Sequence, residues 1–190
     1  ATGVDEELRD CVSLLSTDSR FNLAAIFAPE HGFWGAFQDA LSVSSYVDEQ
    51  TKTPVYSLYG KNRKPTPEML KDIDVLMFDI QDVGSRFYTY ISTMKLAMES
   101  VAENGKSFIV LDRPNPINGV DVEGNVLDPS FSSFVGQHPL PVRHGLTVGE
   151  LALLFKKDMK LDLNLEVVKM QCWDRDMWYD QTGLNWVLPS

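Results

Sequence analysis

Val75-Leu76-Met77-Phe78-Asp79-Ile80-Gln81-Asp82-Val83-Gly84-Ser85-Arg86-Phe87-Tyr88-Thr89-Tyr90, continuing to Glu103, holds the pattern that decides the fold. Val75 to Ile80 is a short apolar run bounded by polar residues, the look of a strand buried on both faces of a parallel sheet. From about Tyr88 to Glu103 the period becomes helical. Ile91, Met94, Met98 and Val101 share one face, and Asn104-Gly105 supplies the stop. Working outward, Leu23 to Phe27, Val55 to Leu58 and Phe108 to Leu111 read as further strands, with a fifth at Leu163 to Met170.

Helices are expected between them. Thr66-Pro67-Glu68 places a capping hydroxyl before an N1 proline, Thr147 to Glu150 has capping-box spacing ahead of Leu151 to Phe155, and Glu6 to Leu15 is amphipathic. Strand and helix in alternation predict a Rossmann-like α/β fold: an open, mostly parallel sheet with helices on both faces, lacking part of its ends. Ligands of such sheets bind beyond the carboxyl ends of the strands. The 190 residues suit one domain, 1–190, with no internal repeat. The stretch from Asn115 to Arg143 is rich in Pro, Gly, Ser and Asp and reads as an irregular excursion near the strand ends, where long loops are usually functional.

A formal net charge of −10 argues against nucleic acid and against insertion at an anionic membrane surface, since both draw on clustered Lys and Arg. No run approaches the roughly 20 apolar residues that span a bilayer. Cys11 and Cys172 form no disulfide framework and read as ordinary buried thiols. The opening residues lack the basic and apolar segments of a signal peptide. There is no Walker loop, no G-x-G-x-x-G after a strand and no G-x-S-x-G elbow, so no nucleotide cofactor is expected.

The polar segments after the strands carry the candidate chemistry: Pro29-Glu30-His31-Gly32, Asp79 to Tyr90, Asp112-Arg113-Pro114-Asn115-Pro116, and Arg143-His144-Gly145 ahead of a helix. Glycines after Glu30 and His31 let the chain turn and project both side chains into the crevice. Gly84, Ser85 and Arg86 are expected in the first turn of a helix, as an anion-binding corner. The competing readings are helix capping for Asp82, packing for Tyr88 and Tyr90, a structural ion pair for Asp112 with Arg113, and capping for Glu150. Two carboxylates across a cleft suit glycosidic bond cleavage. Glu30, His31, Asp79, Asp112 and His144 equally suit hard-cation ligation in a metal-dependent hydrolase.

Pro29 to Gly32, Ser57 to Gly60, Phe78 to Gly84, Arg86 to Tyr90, Leu111 to Pro116 and Arg143 to Gly145 together resemble the exo-β-N-acetylmuramidase (NamZ) family along essentially the whole chain. The resemblance implies a secreted or periplasmic bacterial glycosidase. It would release N-acetylmuramic acid from non-reducing ends of peptidoglycan fragments, in a cleft between this Rossmann-like domain and a smaller C-terminal one. It matches Glu30 to the family's catalytic glutamate and leaves Asp79, Asp82 and Asp112 as candidates for the second group. His31, Arg86, Tyr88, Arg113, Asn115, Arg143 and His144 are then expected to bind substrate, with an arginine among 86, 113 and 143 pairing with the lactyl carboxylate. Trp34 stands where the family has arginine, and the family adds a first strand before Thr2 and a second domain after Ser190. A sugar-binding module is the non-enzymatic alternative.

Overall fold

The computed structural model describes residues 2–33 and 45–189, so Trp34 lies outside the described residues. Among the described residues there are six strands: β1 (Ile26–Ala28), β2 (Tyr46–Val47), β3 (Pro54–Ser57), β4 (Val75–Phe78), β5 (Ser107–Leu111) and β6 (Asn164–Val168). They form two three-stranded sheets, ordered β1-β3-β2 and β4-β5-β6. Pairing is parallel for β1 with β3, β4 with β5 and β5 with β6, and antiparallel only for β2 with β3. The architecture is therefore the expected mixed, mostly parallel α/β arrangement.

The alternation of side chains along a strand explains why helices lie on both faces. Leu76 and Phe78 of β4 join Phe108 and Val110 of β5 in one buried cluster with Ile91, Met94 and Met98 of α2 (Tyr90–Glu103) and Leu151 and Phe155 of α3 (Val148–Asp158). Met77 points the other way, its sulfur 3.9 Å from Cys11 Sγ of α1 (Cys11–Thr17). Cys11 is part-buried, whereas Cys172 is exposed and not buried as expected. Burying each of these large side chains is worth about 1.5–3 kcal/mol, which makes the α2–β5–α3 layer the mechanical base of the site. A cavity of about 620 Å³ is lined jointly by Ile26 and Phe27 of β1, Val12 and Leu15 of α1, and Met77 of β4.

Local chemistry moved several boundaries. Asp10 accepts from Ser13 N at 2.9 Å and caps α1, which starts there rather than at Glu6; the preceding Asp5 carboxylate holds Glu7 N and Arg9 N in a turn instead. After Thr66 the bonds alternate between three- and four-residue spacing, from Leu70 N to both Thr66 O and Pro67 O and from Ile73 N to Leu70 O. The segment there is a run of turns and not a helix. By contrast α3 has the full capping box, with Thr147 Oγ1 accepting from Glu150 N and Glu150 Oε2 accepting from Thr147 N. The excursion from 119 to 143 closes on itself as an irregular hairpin, with antiparallel bridges Glu123–Arg143 and Ser133–Gly136 and a bond from Leu127 N to Leu140 O.

Candidate active site

β1 ends at Ala28, and within four residues the chain reverses, Gly32 N donating to Pro29 O at 3.1 Å. The turn places two consecutive residues in the left-handed region, His31 at φ 71° and Gly32 at φ 77°. A non-glycine residue there is strained, and such strain concentrates where a side chain must be aimed. It leaves Glu30 and His31 half-buried at the carboxyl end of the strand.

Across from this turn, α2 begins one residue after Thr89. Thr89 occupies the N-cap position, yet its hydroxyl makes no capping bond. It donates instead to Glu30 Oε2 at 2.7 Å. A capping hydroxyl contributes about 0.5–2 kcal/mol, so the helix forgoes stability to hold this carboxylate. The next residue, Tyr90, is buried and donates its phenol to Pro189 O at 2.6 Å. Burial pushes that phenol well up, and the neighbouring Tyr88, Asp82 and Glu30 push it further. Glu30, Tyr88, Thr89, Tyr90 and Asp82 thus form one electrostatically connected group.

The other carboxylates have different employment. Asp79 accepts from Arg113 Nε at 2.6 Å, while Arg113 also donates to Val4 O. Asp112 accepts from Gly149 N at 2.8 Å, Arg113 N at 3.0 Å and the Thr147 hydroxyl at 3.0 Å, which ties β5 to the start of α3. Gly149 is required for this, because a Cβ there would meet Asp112 Cγ at 2.7 Å. Burial raises the Asp112 carboxyl above its usual range despite these bonds.

Asp82 is buried, with Oδ2 accepting from Gly84 N at 2.9 Å and Oδ1 unpartnered among the described residues. Burial pushes its carboxyl up to about 6, the Gly84 and Val83 backbone bonds opposing. His144 Nε2 lies 3.8 Å away, and burial lowers that imidazole to about 4. Leu146 N donates to His144 Nδ1, so the ring proton sits on Nε2 and faces Asp82. Burial favours the neutral form of each partner, raising the carboxyl and lowering the imidazole. This is a buried polar contact and not an ion pair.

Gly84, Ser85 and Arg86 are not the first turn of a helix, which corrects the expected anion-binding corner. α2 begins at Tyr90, and the corner's donors are already used, Gly84 N by Asp82 and Arg86 N by Val142 O. Nor does Asp82 cap α2, being too far upstream. Gly84 at φ 79° lies so close to Asn115 that a Cβ would meet its Oδ1 at 2.3 Å. Asn115 is buried, accepting from Ile117 N and donating to Leu146 O.

Arg86 donates through Nη1 to Asn125 O and Leu140 O, pinning the hairpin. Arg143 donates to Ile117 O, pairs with Asp121 at 3.1 Å and Glu123 at 3.5 Å, and lies over the Trp178 ring. Of the residues singled out in the sequence, Glu30 and Tyr88 both act on the Tyr90 phenol from the half-buried rim. Asp82, Asn115 and His144 form a buried node beneath it, while Asp79, Asp112, Arg113 and Arg143 knit neighbouring segments together. Thr89 and Tyr90 complete the Glu30 group. Thr89 escaped notice because only the tertiary fold reveals that its cap is missing; the signal available was a threonine directly before the apolar helix face.

A family model described as "Exo-beta-N-acetylmuramidase NamZ, N-terminal" matches residues 1–190. The chain is 56% identical over 188 residues to the peptidoglycan beta-N-acetylmuramidase NamZ of Bacillus subtilis (strain 168), a match that covers 99% of this chain and 45% of that protein. Two crystal structures of DUF1343 family proteins from Bacteroides fragilis NCTC 9343 are also similar. One has a TM-score of 0.92 and 53% identity and covers all of this chain and 48% of its own; the other has 0.79 and 37% and covers 94% and 47%. The chain spans about half the length of the relatives it matches.

Proposed function

The chain belongs to the N-terminal family of the exo-β-N-acetylmuramidase NamZ, and from that membership we propose that the protein carrying it is a glycoside hydrolase. It releases N-acetylmuramic acid from the non-reducing ends of peptidoglycan fragments. The observation that carries this reading is the carboxylate of Glu30, held at a strand end by a hydroxyl taken from a helix cap. With Oε2 fixed by Thr89, Oε1 is left to exchange a proton with the glycosidic oxygen or with an attacking water, the part of a general acid or base.

Tyr88 and Tyr90 wall this corner, Asp82 being the aspartate whose charge reaches the same phenol as Glu30. His31 projects from the strained turn beside Glu30 and contacts the sugar. Asn115 and His144 act from below, holding the loops in register. Peptidoglycan-derived muropeptides or disaccharides are the substrates. We infer that the enzyme acts outside the cytoplasm, periplasmic or secreted, in bacterial cell-wall recycling.

The test is product release from a chromogenic N-acetylmuramic acid β-glycoside by the parent-length protein, with and without chelator. Cleavage that ignores chelator is expected. Abolition by chelator would favour the metal-dependent hydrolase, and muropeptide binding without turnover a sugar-binding module.

A further inference from the structure

A muramic acid glycoside differs from a glucosamine glycoside by a lactyl ether that ends in a carboxylate. To read it, a protein of net charge −10 needs a cation not already neutralised. Arg113 and Arg143 are paired with acidic residues and Arg86 is bound to two carbonyls. Arg9, Arg20 and Arg175 are likewise paired with carboxylates. Arg63 stands apart in being both exposed and without an ion pair among the described residues, whereas Arg86 is part-buried with its donors turned onto the hairpin. Its guanidinium lies over the Phe134 ring, 4.5 Å from the centroid. Phe134 packs in turn against Tyr59, with centroids 6.1 Å apart. A guanidinium held over a ring face makes no hydrogen bond to it, so its edge donors are left for a carboxylate, which they can take with two parallel hydrogen bonds.

The position suits the substrate as well. In the parallel register of β1 and β3, Ala28 is level with Ser57, and Leu58 N donates to Ala28 O at 2.8 Å. Glu30 and Tyr59 each follow their registered residue by two, on strands about 5 Å apart. The aromatic support of Arg63 therefore rises from the same sheet edge as Glu30. Lys61, in the same loop, is exposed and has no ring beneath it among the described residues.

We propose that Arg63, presented on the Phe134–Tyr59 stack at the carboxyl end of β3, binds the lactyl carboxylate of a terminal N-acetylmuramic acid and sets the preference for muramic over glucosamine residues. The assignment rests on the glycosidase reading above and adds the group that selects the substrate. The experiment compares kcat/KM of the parent-length wild type, Arg63→Ala, Arg63→Lys and Lys61→Ala. The substrates are chromogenic β-glycosides of N-acetylmuramic acid, its lactyl methyl ester and N-acetylglucosamine.

Wild type is expected to favour the free acid over the ester. Arg63→Ala should lose about 10- to 100-fold on the acid alone, the range for hydrogen bonds to a charged group, and so erase the preference. Arg63→Lys should fall between, keeping charge without the fork, and Lys61→Ala should behave as wild type. An acid-over-ester preference that survives in Arg63→Ala, or one missing from wild type, overturns the assignment while leaving the hydrolase intact. A wild type that cleaves no muramic glycoside removes the glycosidase reading and this assignment with it. Because Arg63 is exposed, unfolding temperatures should match across the set.

Discussion

Two carboxylates that follow parallel strands meet opposite fates in this molecule. Glu30, after β1, has a side-chain hydroxyl as its partner and stands half-buried on a strained turn. Asp112, after β5, is surrounded by three donors, two of which lock it to the start of α3. Both are acidic residues at the edge where chemistry is expected. The difference teaches that a strand-end carboxylate is available for proton transfer only when the surrounding loops do not need it as an acceptor.

Substitution of Glu30 should produce the largest effect. Glu30→Gln keeps the shape and still accepts from Thr89, yet cannot exchange a proton. Turnover of a muramic acid glycoside should drop by about a thousandfold with the unfolding temperature unchanged. Retained turnover would move the catalytic role elsewhere in the cleft. Asp112→Ala should behave in the converse way, losing about 2–4 kcal/mol of stability because Gly149 N and the Thr147 hydroxyl lose their acceptor. Denaturant titration measures this. At temperatures where the variant stays folded, kcat should remain close to wild type, and a large loss in the folded variant would place Asp112 in the chemistry.

Asp82 sharpens the contrast through pH. Its folded carboxyl, about 6, lies above the ordinary 3.8, so the folded protein binds the proton more tightly than the unfolded chain does. The contribution to stability is fully present below about pH 3.8 and is lost as pH rises through about 6, a cost near 3 kcal/mol at pH 8. Asp82→Asn should therefore stabilise the protein at pH 8 and by much less at pH 4. Equal shifts at the two pH values would mean that burial does not govern this carboxyl. His144 contributes oppositely, its stability being complete above pH 6.5 and lost as pH falls through about 4, in both proteins alike. The smallest effect is expected of Thr89→Val. Removing the hydroxyl from Glu30 should lower turnover about tenfold, while stability stays within about 1 kcal/mol because no cap is lost. A clear loss of helix stability would show that the hydroxyl does cap α2 in solution.

How legible the fold was depended on whether a signal was local. The buried strands and α2 were read within one to three residues because Leu76, Phe78, Phe108 and Val110 and the Ile91–Val101 face repeat with their own periods. The capping box at Thr147 was read correctly for the same reason. The start of α1 was missed because two aspartates, Asp5 and Asp10, compete for nearby N–H groups, and only the one at position 10 can cap while its chain continues as helix. β2, two residues long, carries no period at all.

Local periodicity and turn chemistry, which act over a few neighbouring residues, were enough to mark the buried strands, α2 and α3 and the polar residues at the strand ends, but not β2 or the turns after Thr66. The sequence also placed Glu30 and His31 between a strand and a glycine. Which of those polar groups keeps a free oxygen is settled by contacts between distant segments. Thr89 reaches Glu30 across 59 positions of sequence, Arg113 reaches Asp79 across 34, and Asp112 reaches Gly149 across 37. Whether a carboxylate is held ready or tied down is a question of which donors arrive beside it, and packing brings those donors from elsewhere in the chain.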